Sequence, residues 1–426
     1  MRFFIHTVSL ILLGACGQAG TPSPGTGNPL TIPTSRLIVC DRSYPGFSCS
    51  GKSGNWGFVN PSGLAENPVD HTIWVANYGV SGNGTSLSVV SPGVSGSAPS
   101  ATIVSGAGYS FLGPERIAFD SLGTAWITNR GSSPSVNTWA VGSVVKIPLG
   151  GGSPTIFKGA FNYPYGIALD SSGNVWVASP GLDGVNGNSV AELVKADGYK
   201  PLIYCQSFLE ACPAGVISAG LGLAPLTVLS DTKGDVFVIS GNRVGSFTPV
   251  GGSVTYNTPL STESSDIGSM AMDPSGNLWA GQSSQATGMG SGPSSVTQQI
   301  FEYSGQDSSP QIPGTSPATW TIDGGIIRTV RSDGAGNIWA ISNTYDVLIE
   351  MNASSGYAQT VYCDPSTVNS VQTCEELFGP GVVMGSFGFS SPGDMIIDHA
   401  GNVWVSNGTS GGGGNSVTEI IGVATP

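Results

Sequence analysis

Hydrophobic positions along this chain come in pairs of short runs joined by a polar turn of the form Asp-x-x-Gly-x, with an aromatic centred in the second run. Six copies keep the turn intact, at Asp120 to Trp126, Asp170 to Trp176, Asp231 to Phe237, Asp273 to Trp279, Asp333 to Trp339 and Asp398 to Trp404. A seventh, degraded copy ends at Trp74, within Val69 to Asn77. From Trp74 to Trp404 the mean spacing is about 55 residues, close to the period at which repeats of several short strands build propeller blades rather than helical solenoids. The pattern predicts an all-β propeller of seven four-stranded blades, with six blades as the second choice.

The repeat beginning at Tyr165 shows how each blade is read. Strand A is Tyr165 to Leu169, strand B is Val175 to Ala178, strand C is Ser189 to Val194, and strand D lies near Leu202 to Tyr204. In the A-to-B turn the Asp side chain caps the backbone and Gly supplies a positive φ, so Asp170, Gly173 and their equivalents read as structural. Strand B is apolar at consecutive positions, as a central strand buried on both faces must be. The last repeat supplies strand A at Asp394 to Ile397, strand B at Val403 to Ser406 and strand C at Ser416 to Ile421, then stops. Arg36 to Cys40 has the β-branched character to supply the missing strand, close the ring and remove a bare edge.

A chain of 426 residues would ordinarily suggest two or three domains, but continuous repeats argue for one ring over residues 36–426. Charged residues make up only 10%, and Gly accounts for 64 positions, which suits a turn-rich β protein. The net charge of −13 offers no basic stripe for a phosphate backbone, so nucleic-acid binding is disfavoured. Phe3 to Ala15 is an apolar run too short for a permanent span, and predicts a signal peptide over residues 1–15. Leu13-Gly14-Ala15-Cys16 resembles the bacterial lipobox, which implies acylation of Cys16 and a lipid-anchored, extracytoplasmic place in a bacterial cell envelope. Residues 16–35, dense in Gly, Pro, Ser and Thr, read as a flexible tether.

Setting Cys16 aside leaves six of the seven cysteines. Fifteen connectivities are open to them, and short separations favour Cys40 with Cys49, Cys205 with Cys212 and Cys363 with Cys374. Disulfides fit an oxidising compartment. A zinc site is disfavoured, because no pair has knuckle spacing and no histidine lies beside one.

Segments such as Gly166-Ile167-Ala168-Leu169-Asp170-Ser171-Ser172-Gly173-Asn174-Val175-Trp176-Val177-Ala178 resemble NHL repeats. They are also similar to those of streptogramin lyase, a seven-bladed propeller, whose second half-repeat is echoed by Asn242 to Pro249, Asn188 to Leu193 and Asn415 to Ile420. That resemblance covers about residues 60 to 422 and rests on residues that build blades. The lyase chemistry it implies needs a histidine base and a magnesium ion held by acidic groups. Beyond the leader only His71 and His399 remain, both in A-to-B turns and therefore opposite the B-to-C loops. The position where lyase repeats often carry Glu holds Asn77, Asn129, Ser179, Ser240, Gln282, Ser342 and Asn407, so the catalytic set does not carry over.

Resemblance to gluconolactonase-like propellers implies instead a divalent cation, Mg²⁺ or Ca²⁺, on the axis. Asn77, Asn129 and Asn407 end their B strands at equivalent positions and are the candidate ligands; the same residues can equally cap the following loops. A ligand face is expected on the B-to-C and D-to-A loops, with Arg130, Tyr163, Tyr165, Asp183, Arg243, Tyr345 and Asp346 as candidate contacts. The function expected is that of a non-catalytic scaffold for a protein, glycan or small-molecule ligand, acting as a monomer and touching the membrane only through its anchor. The alternatives are a metal-dependent lyase or lactonase, and a structural envelope component.

Overall fold

The computed structural model describes residues 35–38, 56–79, 83–92, 99–131, 142–181, 189–205, 217–218, 225–241, 243–248, 253–256, 266–283, 298–303, 318–322, 326–366, 374–379, 381–408 and 415–426. They form seven antiparallel blades, each ordered A to D from the axis outward. The A strands span Pro61–Glu66, Pro114–Phe119, Ile167–Leu169, Pro225–Ser230, Asp266–Met272, Ile327–Ser332 and Pro392–Ile397. The B strands span Ile73–Asn77, Ala125–Asn129, Val175–Ser179, Val236–Ser240, Leu278–Ser283, Ile338–Ser342 and Val403–Asn407.

The seventh blade takes its outer strand from the start of the chain. Ser35–Ile38 pairs antiparallel with Ser416–Ile420 in the register Ser35 to Ile420 and Ile38 to Val417. Closure therefore follows the expected scheme, although the strand begins and ends a little earlier than Arg36 to Cys40. Blades 3 and 6 each gain a short parallel fifth strand, Ile217–Ser218 and Val383–Met384, outside their D strands. In blade 6 the added strand follows a helix, Cys374–Phe378, tied to strand D by the Cys363–Cys374 disulfide. Cys16, Cys40, Cys49 and Cys212 lie outside the described residues, as does the Cys205 side chain.

The turn residues do more than their local geometry required. Asp170 accepts the backbone N–H groups of Ser172 and Asn174 on Oδ1, both at 2.9 Å, and the indole N–H of Trp176 on Oδ2 at 2.9 Å. Asp273, Asp333 and Asp398 repeat that double role with Trp279, Trp339 and Trp404. Each turn aspartate thus also satisfies the one polar atom of the aromatic it precedes. Blade 2 departs from this, since the Trp126 indole N–H has no hydrogen-bond partner among the described residues, and at Asp231 the aromatic is Phe237, leaving Oδ2 without one among them. The turn glycine is required: Gly401 has φ +78°, and a Cβ there would meet the Ala424 carbonyl oxygen at 2.3 Å.

Burial matches the expected double-faced B strands, which are fully buried in blades 2 to 7. The tryptophans fill space between blades: Trp279 of blade 5 packs on Trp320 of its own blade and on Tyr357 of blade 6. Near the axis, hydroxyl and backbone bonds join every neighbouring pair of blades. Ser62 Oγ donates to the Glu115 carbonyl, Thr128 Oγ1 to Tyr165, Thr227 Oγ1 to Gly268, Thr329 Oγ1 to Gly393 and Ser406 Oγ to Ser62. The two remaining interfaces use the Gly166 N–H on the Leu226 carbonyl and the Val330 N–H on Ser269 Oγ.

Candidate functional site

Strand A is the innermost strand of each blade, so the side chains it turns inward line the central channel. That channel encloses a cavity of about 340 Å³. Its wall is mostly small or aliphatic, but blades 2, 6 and 7 place charge in it: Arg116, Arg328, Arg331 and Asp394 all face the cavity. In six of the seven blades the A and B strands slip register near the start of strand A, among them at Pro114/Ile117, Ile327/Thr329 and Pro392/Asp394. That irregularity re-aims side chains at the channel mouth, as bulges beside sites commonly do.

Asp394 is the hub of this wall. Almost wholly buried, it accepts the Leu64 N–H of blade 1 at 3.1 Å, the Thr329 hydroxyl of blade 6 at 3.3 Å and Arg331 Nη2 at 2.9 Å. Arg116 Nη1 lies 3.9 Å from its other oxygen and 3.6 Å from Glu115. Burial works against the Arg116 charge, but Tyr165, Asp394 and Glu115 outweigh it and hold the guanidinium above its ordinary pKa. Arg331 and Arg328 are pushed the other way, by burial first and then by the charge of Arg116. With its amide oxygen turned inward, Asn343 accepts from Arg328 at 2.7 and 2.9 Å.

Above Arg116 the mouth is built from aromatic rings. Arg116 Nη2 donates to the Tyr165 hydroxyl at 2.8 Å. The Arg130 guanidinium stacks 3.8 Å over the ring of Tyr163 and lies 5.0 Å from Tyr78 and 5.5 Å from Tyr165, while Nη1 pairs with Glu115 at 3.1 Å. Tyr78 and Tyr163 share a hydroxyl contact at 3.3 Å, and burial pushes the Tyr78 phenol well above its usual range, with Arg130 pulling it back in part. Four guanidinium groups, Arg116, Arg130, Arg328 and Arg331, face two carboxylates, Glu115 and Asp394. The result is a net charge of +2 at the centre of a chain carrying −13.

Three of the residues singled out from sequence, Arg130, Tyr163 and Tyr165, are therefore brought together. Asp183 lies outside the described residues. Arg243 is exposed at the start of its C strand. Tyr345 packs edge-on against Phe378, and Asp346, in a left-handed turn with φ +53°, accepts the Ser391 N–H at 2.9 Å and so bridges blades 6 and 7. Burial raises the Asp346 carboxyl to about 6. Glu115, Arg116, Arg328, Arg331 and Asp394 were missed. Their signal was charge inside otherwise apolar A strands, as in Pro114-Glu115-Arg116-Ile117-Ala118-Phe119.

The axial-cation expectation does not fit. Asn77, Asn129 and Asn407 hold their amides within the blade wall: each oxygen accepts a D-to-A loop N–H, from Val59, Leu112 and Ser390 respectively. Each amide nitrogen donates to hydroxyls of strand C, Ser86 and Ser88, Ser143, and Ser416 and Thr418. These residues lock loop to blade, and the channel they were expected to equip with a cation is lined by arginine instead.

No family model and no curated protein sequence matches the chain. Among solved structures it is similar to a streptogramin B lyase, with a TM-score of 0.53 and 14% identity over 91% of this chain and 96% of the other. A catalytically inactive virginiamycin B lyase from Staphylococcus aureus, solved with quinupristin, gives 0.51 and 12% over 86% and 96%. The WD40 repeats of RRP9 give 0.57 and 10% over 92% and 98%. The fold is that of a streptogramin-lyase-like seven-bladed propeller, and at these identities the likeness concerns the fold alone.

Proposed function

We propose that this protein is a lipid-anchored, extracytoplasmic propeller that binds an anion-bearing ligand at the mouth of its central channel without transforming it. The observation that carries this reading is the net positive, preorganised set of Arg116 and Arg331 on Asp394 with Arg328 in the same cavity wall, beside the rings of Tyr78, Tyr163 and Tyr165 in an otherwise acidic chain. Guanidinium groups fixed by buried partners recognise carboxylate, phosphate or sulfate oxygens, and rings at the rim supply contact area. A cavity of about 340 Å³ is at the lower end of sizes that hold a small molecule.

The chemistry of the wall supports binding over turnover. Both carboxylates are held in ion pairs, the guanidinium groups stay charged, and the Tyr78 phenol is raised away from neutrality. Among the described residues no histidine faces the cavity. A general acid or base needs a group poised near the working pH. The anchor rests on the lipobox-like Leu13 to Cys16 and the even number of cysteines left beyond it.

The test compares phenyl phosphate, benzyl alcohol and phenyltrimethylammonium as calorimetric probes of the full chain and of Arg328→Gln. Saturable binding of phenyl phosphate alone, weakened about tenfold in the variant, is expected from the loss of one charged contact. Equal binding of all three probes, or none, overturns the reading.

A further inference from the structure

The two histidines that the sequence places in separate A-to-B turns meet across the seam where the ring closes. His71 belongs to the first blade and His399 to the last, yet their rings stack with centroids 3.6 Å apart. Between them lies Glu66, the final residue of the first A strand. Its Oε1 is 3.0 Å from His71 Nδ1 and also bonds His399 Nδ1, while its Oε2 accepts the His399 backbone N–H at 2.9 Å. The three donor atoms lie within 4.8 Å of one another. This cluster sits at the ends of the A strands opposite the arginine-lined mouth, so it is separate from the anion site.

The arrangement is fixed by the backbone of two turns. The His71 N–H donates to the Asn67 carbonyl at 2.9 Å, and His71 itself holds a left-handed φ of +57°, a conformation non-glycine residues adopt at some cost. On the other side, the Asp398 turn is pinned by Ala400 and Asn402 N–H bonds to its carboxylate, leaving the adjoining His399 to reach across to blade 1. Glu66 has one oxygen tied to the blade 7 backbone and the other turned to both imidazoles. Both rings are about half exposed, so solvent has access to the cluster.

We propose that Glu66, His71 and His399 form a divalent transition-metal site, best suited to Zn²⁺, that clasps the first blade to the last. Two imidazole nitrogens and one carboxylate oxygen are a donor set zinc uses when a fourth position is left to water. Nitrogen donors select against Mg²⁺ and Ca²⁺, which prefer oxygen alone. The donors come from positions 333 residues apart, beside the seam otherwise closed by the Ser35–Ile38 strand, so a bound ion cross-links the two ends of the ring. Anything that binds the closed ring and not the open chain stabilises it by mass action.

The experiment titrates ZnCl₂ into the full chain, stripped of metal by chelation, with melting followed in parallel. One saturable site per chain, a rise in the melting temperature with Zn²⁺ and no competition from MgCl₂ are expected. His71→Gln and His399→Gln should weaken the affinity by at least about 100-fold, since removing a direct ligand exceeds the loss seen for outer partners. Circular dichroism without zinc checks that the variants fold. If they do not, the Nδ1 resonances of His71 and His399 in the ¹⁵N-labelled wild type should shift on adding Zn²⁺. No saturable uptake, equal uptake by both variants, or unmoved Nδ1 resonances overturn the proposal.

Discussion

Replacing Asp394 by Asn should weaken the fold and strengthen anion binding at once, and the pairing of those two effects is what the channel geometry demands. The amide keeps the shape of the carboxylate but one acceptor oxygen in place of two, so it can hold the Leu64 N–H on one side while its NH2 group faces Thr329 and Arg331 on the other. It removes the charge that faces Arg331 at 2.9 Å and Arg116 at 3.9 Å. Breaking a buried pair by deleting one partner costs about 3–5 kcal/mol. Because Arg331 is 32% exposed and the Leu64 bond is kept, the loss here should be about 2–3 kcal/mol. The channel charge rises by one unit at the same time. A unit charge about 6 Å from a bound anion contributes about 2–3 kcal/mol at an effective dielectric of about 20, reduced by solvent and salt to about 1 kcal/mol. Phenyl phosphate should then bind about fivefold tighter. Urea unfolding measures the first quantity and calorimetry at fixed salt the second. A variant as stable as the wild type with unchanged affinity would refute the reasoning, and so would a variant that loses both.

Other outcomes follow from the blade turns, the blade 6–7 bridge and the disulfide. Trp404→Phe deletes the indole N–H that Asp398 accepts at 2.8 Å, whereas Trp126→Phe deletes one with no partner among the described residues. The first should be more destabilising by about 1 kcal/mol in urea melts. Burial pushes the Asp346 carboxyl up from about 3.8 to about 6 in the folded state. The folded state therefore binds the proton more tightly, which adds stability below about 3.8 that is lost as pH rises through about 6. Asp346→Asn should accordingly be more stable than the wild type at pH 8 by about 1 kcal/mol after allowing for the carboxyl's partial exposure, and indistinguishable at pH 3.5, as melting at the two pH values will show. Opening the 11-residue Cys363–Cys374 loop with a Cys363→Ser, Cys374→Ser pair should cost about 3 kcal/mol, read from the denaturation midpoint.

The ring was legible because its information is local and repeated. Asp170, Gly173 and Trp176 specify one turn and one inter-blade contact within seven residues, and the same pattern recurs in the other blades. Even the closing strand could be read, since Ser416–Ile420 needs a partner and only the chain start supplies a β-branched segment. The channel was illegible for the opposite reason. Arg116, Arg331 and Asp394 come from three blades, and each occupies a position at which other blades carry something else, so averaging over repeats removes them. Arg130, Tyr163 and Tyr165 were found as aromatic or charged residues on loops, but their engagement with one another and with Glu115 is a property of adjacent blades. His71 and His399 were read as residues of two separate A-to-B turns because only ring closure makes neighbours of positions 71 and 399, and Glu66 was not singled out.

The most direct measurement of the central claim is anomalous scattering from a crystal soaked in selenate. The account predicts a selenium peak inside the channel, within hydrogen-bonding reach of Arg328, Arg331 or Arg116, and its loss in Arg328→Gln, Arg331→Gln crystals. Selenate found only on the outer surface, with water alone between those arginines, would contradict it.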